Sequence, residues 1–209
     1  MSDTTGSRAR MVARSWGPTA AVIAVCIGLL FVWQAAFYAH HHPVIDHVAY
    51  REQAEQLLDG QLSMPLDADA PSWAVRFTTP TDHGRVFKYL PGTAAIGAVS
   101  LELTGDVGLA LAASLGLVVL ATSGIAGRLG WSPKRRVLAA LLVGASPVML
   151  SNSTVLLSYV PSLALTLTAV WMVLAATLDR DSTVAAAPAH STTRRRRRRR
   201  PDRNRTASS

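Results

Sequence analysis

The chain is poor in cysteine, because only Cys26 carries a thiol among its 209 residues. A single cysteine excludes an intrachain disulfide framework. Cys26 lies in the middle of an apolar run without a small residue directly before it, which disfavours a lipidated cysteine. It is therefore interpreted as a small apolar packing residue.

Charge is absent from four long runs, and this absence defines the protein class. The runs are residues 18–38, 107–126, 137–151 and 155–178. About 20 apolar residues at ~1.5 Å per residue cover a hydrocarbon core of ~30 Å, so the sequence predicts a polytopic membrane protein. The first run is too long for a signal-peptide core, and it lacks a small-x-small cleavage site. Because no ionisable residue lies inside any run, a transporter component is disfavoured.

Most basic residues lie in three segments, which fixes the predicted threading. They precede the first span, lie between the second and third, and follow the fourth, whereas the segment 39–106 is acidic. Basic loops stay in the cytoplasm, so both termini are predicted inside and residues 39–106 outside. A five-span alternative would use Tyr89–Leu103, but it would place the basic segment Arg128–Arg136 outside.

The predicted fold class is all-α, with about four transmembrane helices and a large external loop of juxtamembrane helices. Residues 1–17 are predicted to be a disordered basic N-terminus, residues 18–178 the transmembrane region, and residues 179–209 a disordered arginine-rich tail. Ser146-Pro147 is expected to break the third span, and Pro161 to kink the fourth.

Two helices are predicted within the external loop. The first runs from Asp46, as the N-cap, to Leu58, with Gly60 as its stop signal. The second follows Pro91 and extends to Leu103, before Thr104 and Gly105. It is expected to lie at the outer membrane interface.

Several segments carry a resemblance to a known family. They are an acid after the first span in Asp46–Tyr50 (DHVAY), the loop segment Lys88–Gly92 (KYLPG), Ala145–Pro147 (ASP) and Ser153–Ser162 (STVLLSYVPS). In this order they resemble the N-terminal part of the GT-C membrane glycosyltransferases. The similarity is to the bacterial family 39 branch, which is related to protein O-mannosyltransferases and lipid A aminoarabinose transferases. The resemblance implies a partial GT-C architecture in a bacterial plasma membrane.

The resemblance also implies an activity and roles for individual residues. It implies an inverting transferase that moves a sugar from a polyprenyl-phosphate donor to an acceptor hydroxyl, with Asp46 as the catalytic base. Lys88 matches a basic position that meets the donor phosphate, and Arg85 is expected to share that contact. His47 stands where the family commonly has a second acid. From residue chemistry alone, the alternative role of Asp46 is to cap a helix, and the alternative for Lys88 and Arg85 is contact with lipid headgroups.

Five further residues are candidates for lining the acceptor site. They are His47, Tyr50, Asp82, His83 and Tyr159. The alternative for Asp82 and His83 is an exposed loop, and the alternative for Tyr159 is a hydrogen bond between helices.

No cofactor is assigned, and the metal and nucleic-acid interpretations are weak. His40, His41 and His42 with Asp46 and His47 could hold a divalent metal, but their spacing fixes no tetrahedral site. The run Arg194–Arg200 has no interleaved aromatic residue, so specific nucleic-acid binding is not predicted. The predicted partners are therefore a polyprenyl-phosphate-linked sugar and membrane lipids.

The arginine run leaves several interpretations open. It can bind anionic lipid or an acidic partner, which gives the alternative function of a non-enzymatic integral membrane protein. A truncated or frameshifted gene would also produce such a tail, and the chain would then be an N-terminal fragment of a transferase.

Overall fold

The computed structural model describes residues 4–38, 44–65 and 76–186, with side chains described between residues 16 and 178. These residues are mostly helical. In chain order the elements are α1 (Thr4–Phe37), α2 (Ile45–Leu58), β1 (Ser63–Met64), β2 (Thr78–Thr81), β3 (Gly84–Phe87), α3 (Pro91–Thr104), α4 (Gly108–Arg128), α5 (Pro133–Gly144), α6 (Pro147–Ser153) and α7 (Tyr159–Ala186).

Helix α4 is the centre of the bundle, and α1, α5 and α7 pack around it. The apolar part of α4 is 67% buried, whereas those of α1 and α7 are only 17% buried. Small residues explain the central position, because Gly116, Ser123 and Gly124 allow close approach of neighbouring helices. The hydroxyls of Thr19 and Ser123 lie 2.9 Å apart in a buried hydrogen bond between α1 and α4.

Three helices in the described part of the chain are long and apolar enough to cross a membrane: α1, α4 and α7. Helices α5 and α6 form a fourth span only if they are counted together, since they meet at a bend of 55°. Ser146 and Pro147 lie at this bend, as predicted, and the Ser146 hydroxyl accepts from the backbone N–H of Met149 at 3.2 Å.

The prediction for the fourth span was wrong at its start. Residues 154–158 are not helical, and α7 begins at Tyr159 instead of residue 155. Pro161 therefore lies in the first turn of α7, where its missing N–H costs no helix hydrogen bond. Pro161 thus lies at the start of the helix, where it does not produce the expected kink.

Both terminal segments extend further as helix than the sequence indicated. Helix α1 begins at Thr4, within residues expected to be disordered, and α7 continues to Ala186, past the expected end of the fourth span. The arginine run Arg194–Arg200 lies outside the described residues.

The loop helices lie close to their predicted positions, but Asp46 does not cap α2. The N-cap is Val44, which has no side-chain capping bond, and Asp46 occupies the first turn. The stop signals were correct, because Gly60 and Gly105 have φ angles of 71° and 73° at the ends of α2 and α3.

Helix α3 packs against α2 and is too short to cross a membrane. Its 14 residues reach only ~21 Å at ~1.5 Å per residue, which is less than the five-span alternative requires.

The loop also contains an antiparallel sheet, so the all-α prediction was wrong for this region. The strand order is β1-β3-β2, and β2 and β3 form a hairpin around Asp82 and His83. Pro80 lies on the edge strand β2, a position that tolerates a residue without an N–H donor.

The bundle has two chemically different ends. We call the end that carries α2, the sheet and α3 the loop end, and the end that carries the α4–α5 connection the basic end. At the basic end the Trp16 and Trp171 ring centroids are 5.9 Å apart, and the Arg136 guanidinium lies 5.3 Å from the Trp16 ring. The basic residues Arg128, Lys134 and Arg135 are exposed there.

Candidate functional site

A cavity of about 560 Å³ opens at the loop end, between the loop and the first turns of α7. Three segments meet there: α2, the start of α3 with the residues before it, and the start of α7. We call it the loop-end cavity, and it is lined by Tyr50, Lys88, Tyr89, Leu90, Gly92, Thr93, Ile96, Ser158, Pro161, Ser162 and Leu165.

Tyr89 holds the wall of this cavity in place. Its ring stacks on Tyr50 with centroids 4.7 Å apart and on Phe77 with centroids 5.8 Å apart. Its backbone carbonyl accepts a hydrogen bond from Gln53 Nε2 at 3.3 Å. These contacts join α2, the residue that precedes β2 and the segment before α3, so three parts of the loop set the position of Tyr89.

Asp46 lies beside Tyr89. Burial raises the pKa of the Tyr89 hydroxyl above its usual value, and the charge of Asp46 and a side-chain hydrogen bond with it raise this pKa further. Smaller contributions come from Tyr50 and Tyr159. Asp46 itself does not line the loop-end cavity, but it contacts a residue that does.

Lys88 lines the cavity and remains exposed. Its Nζ donates to the Arg76 carbonyl at 2.8 Å, and its backbone N–H donates to the Phe77 carbonyl at 2.9 Å. The ammonium group has two further donors that this bond does not use.

The start of α3 adds a second source of positive potential next to Lys88. The N-cap residue Leu90 makes no side-chain capping bond, and Pro91 has no N–H. The first backbone N–H groups of the helix therefore belong to Gly92 and Thr93, both of which line the cavity.

Arg85 is not brought to the cavity. It lies in β3, where Nη1 is 3.5 Å from Thr78 Oγ1 and the buried Nε has no partner among the described residues. The expectation that Arg85 shares a phosphate contact with Lys88 has no support in this arrangement.

The five candidates for lining the acceptor site are distributed over different environments. Tyr50 lines the cavity. Tyr159 is 66% exposed at the start of α7 and is close enough to influence the pKa of Tyr89. Asp82 and His83 form the exposed β2–β3 turn, away from the cavity.

His47 is a packing residue and does not line the cavity. Its buried ring accepts a hydrogen bond at Nδ1 from the backbone N–H of Leu156, at 2.7 Å. A ring that accepts at Nδ1 and is neutral carries its proton on Nε2. This bond joins α2 to the non-helical segment between α6 and α7.

Sequence reasoning missed Tyr89 as a site residue, together with Thr93, Ser158 and Ser162. Tyr89 and the two serines lay inside the segments that carried the family resemblance, so the signal was present. Their roles depend on how three distant segments pack, which residue spacing does not encode.

No group of three or more His, Cys, Asp or Glu side chains that could hold a metal ion occurs within the described ranges. His40, His41 and His42, which belong to the predicted metal-capable cluster, lie outside those ranges.

The arrangement is suited to an amphiphilic anion. Lys88 and the start of α3 provide positive potential, whereas Ile96, Pro161 and Leu165 provide an apolar wall. Comparisons of the chain with protein-family models, with curated proteins and with solved structures found no match.

Proposed function

We propose that the loop-end cavity binds a polyprenyl-phosphate-linked sugar and that the protein transfers this sugar to an acceptor hydroxyl. The observation that carries the proposal is the composition of one cavity, in which Lys88 and the uncapped start of α3 adjoin apolar side chains from α3 and α7. The resemblance to GT-C glycosyltransferases supports the same function.

Phosphate recognition would come from Lys88 and from the N–H groups of Gly92 and Thr93. A helix N-terminus and an ammonium group both favour a bound anion. They also stabilise the negative charge that develops on the phosphate oxygen when the bond to the sugar breaks. The apolar residues Ile96 and Leu165 then face the polyprenyl chain.

The proposed mechanism is a single displacement with inversion. Asp46 accepts the proton of the acceptor hydroxyl, whose oxygen attacks the anomeric carbon. The bond between this carbon and the phosphate oxygen breaks, and the electron pair leaves with the polyprenyl phosphate. Asp46 is close enough to the Tyr89 hydroxyl to raise its pKa, so the carboxylate lies beside a residue that lines the cavity.

We place the loop end outside the cytoplasm and both termini inside, in a bacterial plasma membrane. The exposed cations Arg128, Lys134 and Arg135 at the basic end support this orientation through the positive-inside rule. The membrane-spanning helices support the membrane location.

A transfer assay with a polyprenyl-phosphate sugar and a hydroxyl acceptor tests the proposal. Asp46→Asn is expected to lower the rate by about 10²-fold or more, because general base catalysis contributes that much. Asp59→Asn is the matched control, since Asp59 is an exposed acid at the far end of α2. Equal nonzero rates for wild type and Asp46→Asn would remove Asp46 from the mechanism. A wild type that neither binds nor transfers the donor would contradict the proposed function and favour a non-enzymatic membrane protein.

A further inference from the structure

A second cavity lies outside the proposed site, on the side of α4 between α5 and α7. Helices α5 and α7 both pack on α4 and leave between them a groove of about 390 Å³, which we call the lateral groove. Its lining is almost entirely apolar. The floor comes from α4, the walls from α5 and α7, and the side chains that define it include Ile125, Ala126, Trp131, Ala139, Val143 and Leu167.

Basic side chains stand at the end of the lateral groove. Arg135 lies one helical turn before the groove residue Ala139 on α5, so both are on the same face of that helix. Lys134 is next to it, and both cations are exposed without an ion pair to any described residue. Arg136 differs, because it is held by Trp16 and by a hydrogen bond to the Ser123 carbonyl at 3.2 Å.

We propose that the lateral groove binds an anionic phospholipid, with an acyl chain along α4 and the phosphate against Lys134 and Arg135. The apolar lining accommodates a hydrocarbon chain, whereas the two cations attract an anionic headgroup. Trp131 is 47% exposed between these two regions, the position that amphipathic aromatic residues prefer at a membrane interface. This site is independent of the proposed sugar transfer.

Charge complementarity favours a lipid as the occupant of the lateral groove. The acidic side chains that the structure describes, from Asp46 to Asp106, lie on elements of the loop end, whereas Lys134 and Arg135 lie at the basic end. A phospholipid in the leaflet at the basic end offers both the chain and the charge.

The test is native mass spectrometry of the full chain released from nanodiscs that contain equal amounts of phosphatidylglycerol and phosphatidylcholine with identical acyl chains. Wild type is expected to retain phosphatidylglycerol preferentially. In the double variant K134Q/R135Q, the ratio of retained phosphatidylglycerol to retained phosphatidylcholine is expected to fall by about thirtyfold, because two cations near the membrane surface are removed. Variant R203Q/R205Q removes the same charge from the tail and is expected to retain the wild-type ratio.

A second pair of variants tests the groove itself. Ala139→Phe fills the groove and is expected to lower retention of both lipids, whereas Leu138→Phe, at a 55% exposed neighbouring position, is expected to leave it unchanged. Equal retention of the two lipids by wild type would overturn the proposal. An equal loss in the tail variant would also overturn it, as would a dimer of the wild type that Ala139→Phe dissociates.

Discussion

Tyr89 connects the loop to the cavity more directly than any candidate chosen for its charge. Its ring stacks on Tyr50, and its carbonyl accepts a hydrogen bond from Gln53. Its hydroxyl lies close enough to Asp46 for the carboxylate to raise its pKa. Ionising Tyr89 would place two negative charges together in a partly desolvated position.

At the residue scale, we therefore predict that Tyr89 titrates above the usual tyrosine pKa of ~10. Asp46→Asn should lower the pKa of Tyr89, because it removes one of the interactions that raise it. Tyrosinate absorbance, measured as the difference from Tyr89→Phe, checks this shift. Asp59→Asn, at the other end of α2, should leave the titration unchanged, and an equal effect of both substitutions would contradict the assignment.

The same shift predicts how stability depends on pH. An unfolded tyrosine ionises near pH ~10, before the folded Tyr89 does, so the folded state binds more protons above that pH. The contribution of Tyr89 to the free energy of unfolding is therefore fully present below pH ~10 and is lost as the pH rises further. Tyr89→Phe should reduce this slope, and an unchanged slope would contradict the raised pKa.

At the element scale, the His47–Leu156 hydrogen bond ties the loop to the transmembrane bundle. It connects α2 with the segment that lies between α6 and α7, where no helix supplies a partner for the Leu156 N–H. Because Ser158 and Pro161 follow directly and line the loop-end cavity, this bond also fixes one wall of the cavity.

We predict that His47→Ala lowers the free energy of unfolding by about 1–3 kcal/mol, since it leaves a buried backbone N–H without its partner. Denaturant unfolding in detergent measures the change. His83→Ala removes an exposed ring from the β2–β3 turn and should have little effect. If the two alanine variants were equally stable, the proposed connection between α2 and the α6–α7 segment would be wrong.

Packing between α4 and α7 depends on a glycine. A Cβ atom at Gly124 would collide with the indole of Trp171, whereas one at Gly28 in α1 would meet nothing within 4 Å. Gly124→Ala should therefore destabilise the bundle by about 1–3 kcal/mol through overpacking. Gly28→Ala should be neutral or slightly stabilising in the same unfolding experiment. A neutral Gly124→Ala would contradict the close contact.

At the scale of the whole molecule, the helical bundle was more predictable than its loop. Uncharged runs identify α1, α4 and α7 because a hydrocarbon environment excludes charge over a fixed length. The sheet was missed because β1, β2 and β3 are only two to four residues long, and such short strands carry no measurable periodicity. Their pairing comes from tertiary contact, as does the approach of α7 to Lys88.

The candidate site was predictable only in part. The resemblance drew attention to Asp46 and Lys88, and the structure brings Lys88 to the cavity and Asp46 beside Tyr89, which lines the cavity. Arg85 and His47 could not be excluded from the sequence, because their hydrogen-bond partners, Thr78 and Leu156, lie on other elements. The partner of a polar side chain is a property of the fold.

We also predict that the two ends of the bundle face opposite sides of the membrane. In a Cys26→Ser background, an impermeant thiol reagent added outside intact cells should label Asp82→Cys in the β2–β3 turn. It should label Ser132→Cys, in the α4–α5 connection, only after permeabilisation. Both parent positions are exposed. Labelling of Ser132→Cys in intact cells would reverse the proposed orientation.

The most direct test of the central claim is the affinity of the purified protein for a polyprenyl phosphate, measured with excess phosphatidylglycerol present to occupy other lipid sites. Lys88→Gln is expected to weaken binding about tenfold or more, because it removes a charge-assisted contact to phosphate. Arg51→Gln removes the same charge at the same end, from a residue paired with Glu55 at 2.9 Å and outside the cavity, and should bind as wild type does. Equal affinities for wild type and Lys88→Gln would contradict a phosphate site in the loop-end cavity.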